Sequence, residues 1–324
     1  MGLIQTFQKQ GGWKLVSQWM KAGVLPYAIV QIAISGFSRK ALELLRNGVG
    51  VKVNRKLAKK YLPLLKEWDR TYKEPVVSEK RKVWICWLQG LDSAPYVVQR
   101  CVKSIKNNVT DREIVIITSD NYLDYTDFPD YILEKYKQGL ISHTHFSDLL
   151  RLELLMRHGG TWIDSTVFCS GRNIPNYMLE SNFFVFQNLK PGSDGSVTNT
   201  SNWFISARQG NRIIAAERYL LFTYWKNHST IIDYFLFHHF MNIVAEFYSD
   251  AWQYIVPYPN SLPHVLLLRM FEPYDENLWK NLKEICPFHK LSYKRTLEEF
   301  EREGTYYKQI LEKQENEFDE SRKI

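Results

Sequence analysis

The chain has 324 residues, enough for one large α/β domain with additions or for two small domains, and its 45% hydrophobic content excludes global disorder. The net charge of +7 is uneven: residues 1–80 hold 15 Lys and Arg against 5 Asp and Glu, the remainder 27 against 30. Four dispersed cysteines (Cys86, Cys101, Cys169 and Cys286) have neither CxxC nor zinc-finger spacing, so they read as reduced, buried small hydrophobes and not as a disulfide framework.

Residues 1–75 read as helical, with the apolar spacing broken at Gly48 and Gly50 and a basic face from Lys52 to Lys60. The most apolar stretch, Ala22–Phe37, contains Pro26 and Gln31 and is shorter than the ~20 residues of a spanning helix. Lys14 and Lys21 precede it and Arg39 and Lys40 follow, so it suits either an interfacial helix on anionic lipid or a helix packed on the body of the protein. A basic head calls for an anionic partner. Nucleic acid is disfavoured, because the basic residues of 39–60 lack interleaved aromatics and the body is not basic. Pro75 and the polar run to Lys82 mark a boundary, giving a basic helical region over 1–80.

Strand–helix alternation follows. Val83–Leu88 predicts a buried strand, Pro95 opens a helix through Ile105, and Ile114–Thr118 predicts a second strand. Helices are expected over Tyr131–Tyr136 and Phe146–His158, then a third strand over Trp162–Phe168. This alternation implies βαβ units, a parallel sheet and ligands beyond the carboxyl ends of its strands. Phe183–Phe186 and Trp203–Ser206 are candidate strands, Asn211–Trp225 and Ile231–Phe247 candidate helices. Thr296–Ile324 reads as an exposed charged helix, leaving 81–295 as the main domain.

The stretch His145–Ser170 carries the chemistry. Asp148 and Arg151 stand three apart on one helix face, as a surface ion pair or as a joint grip on sugar hydroxyls. Gly159-Gly160 ends that helix. Alternation places Trp162, Asp164 and Thr166 on one strand face. Asp164 is the lone carboxylate there, which fits either a cation partner or a strand-end turn.

The run Ser147-Asp148-Leu149-Leu150-Arg151, then Gly159-Gly160, then Ile163-Asp164-Ser165-Thr166 resembles the capsular polysaccharide synthesis glycosyltransferases. These are related to the DXD-motif sugar-binding glycosyltransferases of the family 32 type. Trp84–Gly90, Ser201–Ile205, Asp233–His238, Pro263-His264 and His289–Lys294 extend the resemblance over about residues 82–295. It implies a GT-A-type, Rossmann-like α/β domain with a mostly parallel central sheet, extended by N-terminal helices and a C-terminal helix. It also implies a retaining transfer from a nucleotide-sugar, a UDP-sugar foremost, to a polyprenyl-diphosphate-linked oligosaccharide at the inner face of the cell membrane.

By that resemblance Trp87, Gln89 and Gly90 line the base pocket, Asp148 and Arg151 grip the donor sugar, and Asp233 lies near the reacting carbon. Asp164 contacts the metal, the ribose or both, and Lys294 contacts phosphate. Mn²⁺ or Mg²⁺ would be held by Asp164, Thr166 and His289, with His264 the rival histidine. Thr166 stands where the motif has its second Asp, which weakens the charge available to a metal. It leaves open a non-catalytic scaffold, and a transferase for a soluble or protein acceptor is a further alternative. With Arg151 gripping the donor, its replacement by Ala is expected to lower turnover by orders of magnitude and leave the fold intact.

Overall fold

The computed structural model describes residues 12–75, 81–190 and 198–313. The boundary run 76–80 and the tail 314–324 of the sequence reading lie outside them. Three helices come first: α1 (Gly12–Ala22), α2 (Leu25–Ser35) and the long α3 (Arg39–Asp69). Pro26 sits in the first turn of α2, where its missing N–H is harmless. Gly48 and Gly50 do not break α3. A Cβ on Gly48 would lie 1.8 Å from the Tyr27 hydroxyl, so the missing side chain is what lets α2 approach α3.

The alternating units are β1 (Lys82–Cys86), α4 (Tyr96–Asn108), β2 (Glu113–Ile117), α5 (His143–His158) and β3 (Gly160–Ile163). Then come β4 (Val167–Cys169), β5 (Phe183–Gln187), β6 (Thr200–Ala207), α6 (Arg212–Asn227), α7 (Leu236–Phe247), α8 (Glu276–Ile285) and β7 (Phe288–Lys290). The central sheet runs β2-β1-β3-β6-β5. β1 pairs in parallel with β2 and β3, while β6 is antiparallel to both β3 and β5. Four strands therefore point one way and β6 against them, which is the expected α/β architecture with a mostly parallel sheet.

Side-chain alternation divides the sheet between two cores. Trp84, Ile117, Trp162, Val185 and Ile205 face α3, α5, α6 and α7. Val83, Ile85, Ile163, Phe184 and Phe204 face Val102 and Ile105 of α4 and Phe288 of β7. The N-terminal helices join the first core: Tyr61 packs edge-on to Phe240 and Asn54 Nδ2 donates to the His239 carbonyl at 3.1 Å.

Two expectations are corrected. The third strand is not continuous over Trp162–Phe168: it leaves the central sheet after Ile163, turns at Asp164–Val167 (Val167 N to Asp164 O, 3.0 Å) and continues as β4 in a separate ribbon with β7. Asp164 thus lies at the carboxyl end of β3, and Thr166 in the turn. The charged tail is no exposed helix up to residue 313 either. A short capped helix, Leu297–Glu301, leads to a π-helical segment, and Tyr306, Tyr307, Ile310 and Leu311 are buried against Val97, Cys101 and Trp279. Their apolar side chains outweigh the charged residues between them.

Candidate active site

Ser142 caps α5 by accepting from His145 N, and the helix carries Asp148 and Arg151 inward, leaving 5% and 4% of each exposed. This is no surface pair. Arg151 donates to Asp148 Oδ1 and reaches Ser147 Oγ at 3.4 Å, with its guanidinium 4.9 Å from the Trp162 ring centre. Asn202 Nδ2, from β6, donates to Asp148 Oδ1 at 2.8 Å, and His145 Nδ1 stands 3.2 Å from Oδ2. Burial alone would raise the Asp148 carboxyl, but Arg151, then His145 and His238, outweigh it and hold it below its ordinary value. One acceptor position of four remains on this carboxylate.

Asp164 is the half-buried continuation of this buried pair. Its Oδ1 accepts from Trp162 Nε1 at 2.9 Å and lies 3.5 Å from Arg151. Its Oδ2 accepts from Lys290 Nζ at 2.8 Å, and the same ammonium donates to Thr166 Oγ1 at 2.6 Å. The β1–β3 register (Trp84 opposite Trp162) brings Cys86 level with Asp164. Its thiol, pushed up to about 12 by burial, supplies no thiolate at neutral pH.

Trp87, Gln89 and Gly90 follow β1 in a turn closed by Gly90 N to Trp87 O at 3.0 Å. The Trp87 ring meets Tyr293 edge-on at 5.6 Å, and Lys294 Nζ lies 5.9 Å from the Tyr293 ring centre. The structure therefore brings Trp87 and Lys294 together through Tyr293, just past the strand that adjoins Asp164. Asp233 lies before α7, where its Oδ1 accepts from Phe235 N at 2.7 Å and faces His239 Nε2 at 3.5 Å. Burial would raise its carboxyl, but His239 overcomes this and lowers it. His238 lies close enough to feel both Asp148 and Asp233, and burial holds its imidazole down at about 4. Tyr234 is an exposed rim residue whose phenol is raised by partial burial and by the nearby charges of Asp148 and Asp164.

His289 is not brought to Asp164. Alternation in β7 turns Lys290 to Asp164 and sends His289 the other way, where its Nε2 lies 3.0 Å from Ser170 Oγ and its ring beside Trp279. Burial pushes this imidazole down to about 3. His264, which feels the charge of Lys290, packs against Trp203. The expected metal donors are therefore not assembled: no group of three His, Cys, Asp or Glu suited to a metal exists among the described residues. A carboxylate and a hydroxyl already turned to an ammonium do not fit a chain-built divalent site.

Sequence reasoning assigned no role to Lys290, Asn202, His145, His238 or Tyr234. For Lys290 a signal existed, since strand alternation allows only one of two adjacent residues to face a given side.

A buried, charge-balanced cluster at the carboxyl end of the central strand β3, with an aromatic pair beside it, stands where α/β proteins with a mostly parallel sheet bind their ligands. The chain belongs to the capsular polysaccharide synthesis protein family, which matches residues 40–310. An O-glycosyltransferase, braB of Annulohypoxylon truncatum, is 28% identical over 165 residues. That match covers 45% of this chain and 38% of the relative, so the chain spans well under half of that protein's length. The solved PaToxG Glycosyltransferase aligns over 72% of this chain and 95% of its own, at 14% identity and a TM-score of 0.34.

Proposed function

We propose that the chain is a glycosyltransferase of polysaccharide synthesis, moving a sugar from a nucleotide-sugar, a UDP-sugar foremost, to a hydroxyl of a lipid-linked oligosaccharide. The observation that carries this reading is the Asp148–Arg151–Asn202–Asp164 cluster at the end of β3, beside Trp87 and Tyr293. Trp87 and Tyr293 offer faces for a nucleobase, and Asp148, Asn202 and Asp164 offer acceptors and a donor for sugar or ribose hydroxyls. Arg151 holds both carboxylates in place, so the polar groups are oriented before a ligand arrives. Retention of anomeric configuration is part of the proposal, following from the family resemblance.

The test is a panel of nucleotide-sugars, UDP-galactose and UDP-glucose included, scored for slow release of UDP with Mn²⁺, Mg²⁺ or EDTA. Release from one donor well above the enzyme-free rate is the expected result and names the sugar. No release from any donor, together with no thermal shift by UDP, would replace this reading with a non-catalytic scaffold.

The acceptor side rests on α2. Among the described residues no helix is long and apolar enough to cross a membrane. Pro26, Ile29, Val30, Ala33, Ile34 and Phe37 are nevertheless all exposed, while Ala28 is buried towards α3. The spacing of those within α2 makes one apolar helical stripe facing solvent, with Phe37 just past its Gly36 cap and exposed Lys21, Arg39 and Lys40 at its ends. Such a stripe suits the anionic inner face of the cell membrane, where a polyprenyl diphosphate is carried. The protein is expected to sediment with vesicles containing phosphatidylglycerol, and Ile34→Asp to reduce the bound fraction several-fold. Retention in the supernatant with anionic vesicles would favour a soluble or protein acceptor.

A further inference from the structure

This inference deepens the nucleotide-sugar reading and rests on it. The turn Asp164-Ser165-Thr166 is where the family resemblance implies a divalent cation, and the chain itself fills that position. Lys290 Nζ lies 2.8 Å from Asp164 Oδ2 and 2.6 Å from Thr166 Oγ1, while Asp164 Oδ1 is held by Trp162 and faced by Arg151. Both carboxylate oxygens are thus already turned to donors of the protein. A divalent ion binding there would have to expel an ammonium and lie beside the Arg151 guanidinium, whose other carboxylate partner, Asp148, is buried and already held by Arg151, Asn202 and His145.

Lys290 is also rigidly delivered. It pairs with Val167 in the β4–β7 ribbon, and Leu291 N donates to the Thr166 carbonyl at 2.9 Å, so backbone hydrogen bonds fix strand β7 against the turn that carries Asp164. An ammonium has three donors, and two are engaged. Its side chain remains 19% exposed beside Asp164 at 26%, so the pair is not sealed from solvent.

We infer that Lys290 is the resident cation of this site: it binds the diphosphate of the sugar nucleotide and stabilises the leaving group in place of a divalent metal. In the transfer, the bond from the anomeric carbon to the β-phosphate oxygen breaks and its electron pair stays on that oxygen. The acceptor hydroxyl oxygen bonds the anomeric carbon, and its proton passes to the departing diphosphate. Charge therefore builds on phosphate oxygen, where a preplaced ammonium is most effective. Asp164 and Thr166 position the ammonium.

The test is UDP binding by calorimetry in EDTA and in Mn²⁺, for the unmodified protein, Lys290→Ala and Lys290→Gln, with uridine as a phosphate-free probe. The unmodified protein should bind UDP equally, within about twofold, in both buffers. Both substitutions should weaken UDP by about tenfold to a hundredfold, the range of one charged hydrogen bond, and leave uridine unchanged. Circular dichroism confirms that the variants are folded, and the EDTA comparison on the unmodified protein needs no variant. UDP binding lost in EDTA and restored by Mn²⁺, or variants that bind UDP normally, would overturn the role of Lys290 alone. Binding of neither UDP nor uridine in either buffer would overturn the nucleotide reading, and this inference with it.

Discussion

Arg151→Ala will lower donor turnover by about a hundredfold or more and destabilise the fold by about 3–5 kcal/mol. The first effect follows from position: Arg151 touches both Asp148 and Asp164, so its loss loosens the half-buried carboxylate as well as the buried one. The second departs from the expectation of an intact fold, because the pair is buried. With Arg151 gone, Asp148 keeps Asn202 and His145 but loses its counter-charge in a site only 8% accessible at the side chain. Arg151→Lys retains the charge and loses the planar fork, so it should recover part of the stability and little of the turnover. Urea midpoints and turnover numbers for the two variants separate these effects. A turnover loss below about threefold with unchanged stability would mean that Arg151 neither grips the donor nor holds the buried carboxylate.

The second large effect belongs to Gly160. It opens β3 with φ 97°, and a Cβ there would stand 2.2 Å from the Lys82 carbonyl oxygen of the neighbouring strand. Gly160→Ala therefore combines a left-handed conformation with a backbone clash that no side-chain rotation relieves, for a loss of about 3–5 kcal/mol. Against a total stability of about 5–15 kcal/mol, that leaves much of the protein unfolded or insoluble. Gly139 is the control, with φ 73° and nothing within 4 Å of an added Cβ, so Gly139→Ala should cost only about 1 kcal/mol. Equal urea midpoints for the two variants would refute the steric account.

The elements with local causes were legible. The apolar run at Val83–Leu88, the Pro95 helix start and the glycine stop after His158 each depend on residues next to one another, and β1, α4 and α5 lie close to their expected bounds. The site was legible in its first half for the same reason, because Asp148, Arg151 and Asp164 fall within one helix–turn–strand unit. What the sequence hid is non-local. The end of β3 at Ile163 is set by the pairing of Val167 with Lys290, and the reversed direction of β6 by which strands it joins. Periodicity carries neither. The family resemblance named His289 as the partner of Asp164, and a resemblance in residue type does not carry strand register. Register in β7 chose the neighbouring lysine instead.

The ribbon of β4 and β7 also ties the site to the order in which the chain is made. Asp164 and its cation are separated by 126 residues, one of the wider contacts of the cleft. A growing chain that has passed β3 already holds the carboxylate, but the ammonium emerges much later, after β5, β6 and the helices α6, α7 and α8. Until β7 closes onto β4, Asp148 and Asp164 share the single guanidinium of Arg151, and the half-built site has a net negative charge that repels phosphate. Closing so long a loop is among the slower steps of folding. Competence for an anionic ligand is therefore a late event, acquired with the last strand and lost first if that strand detaches.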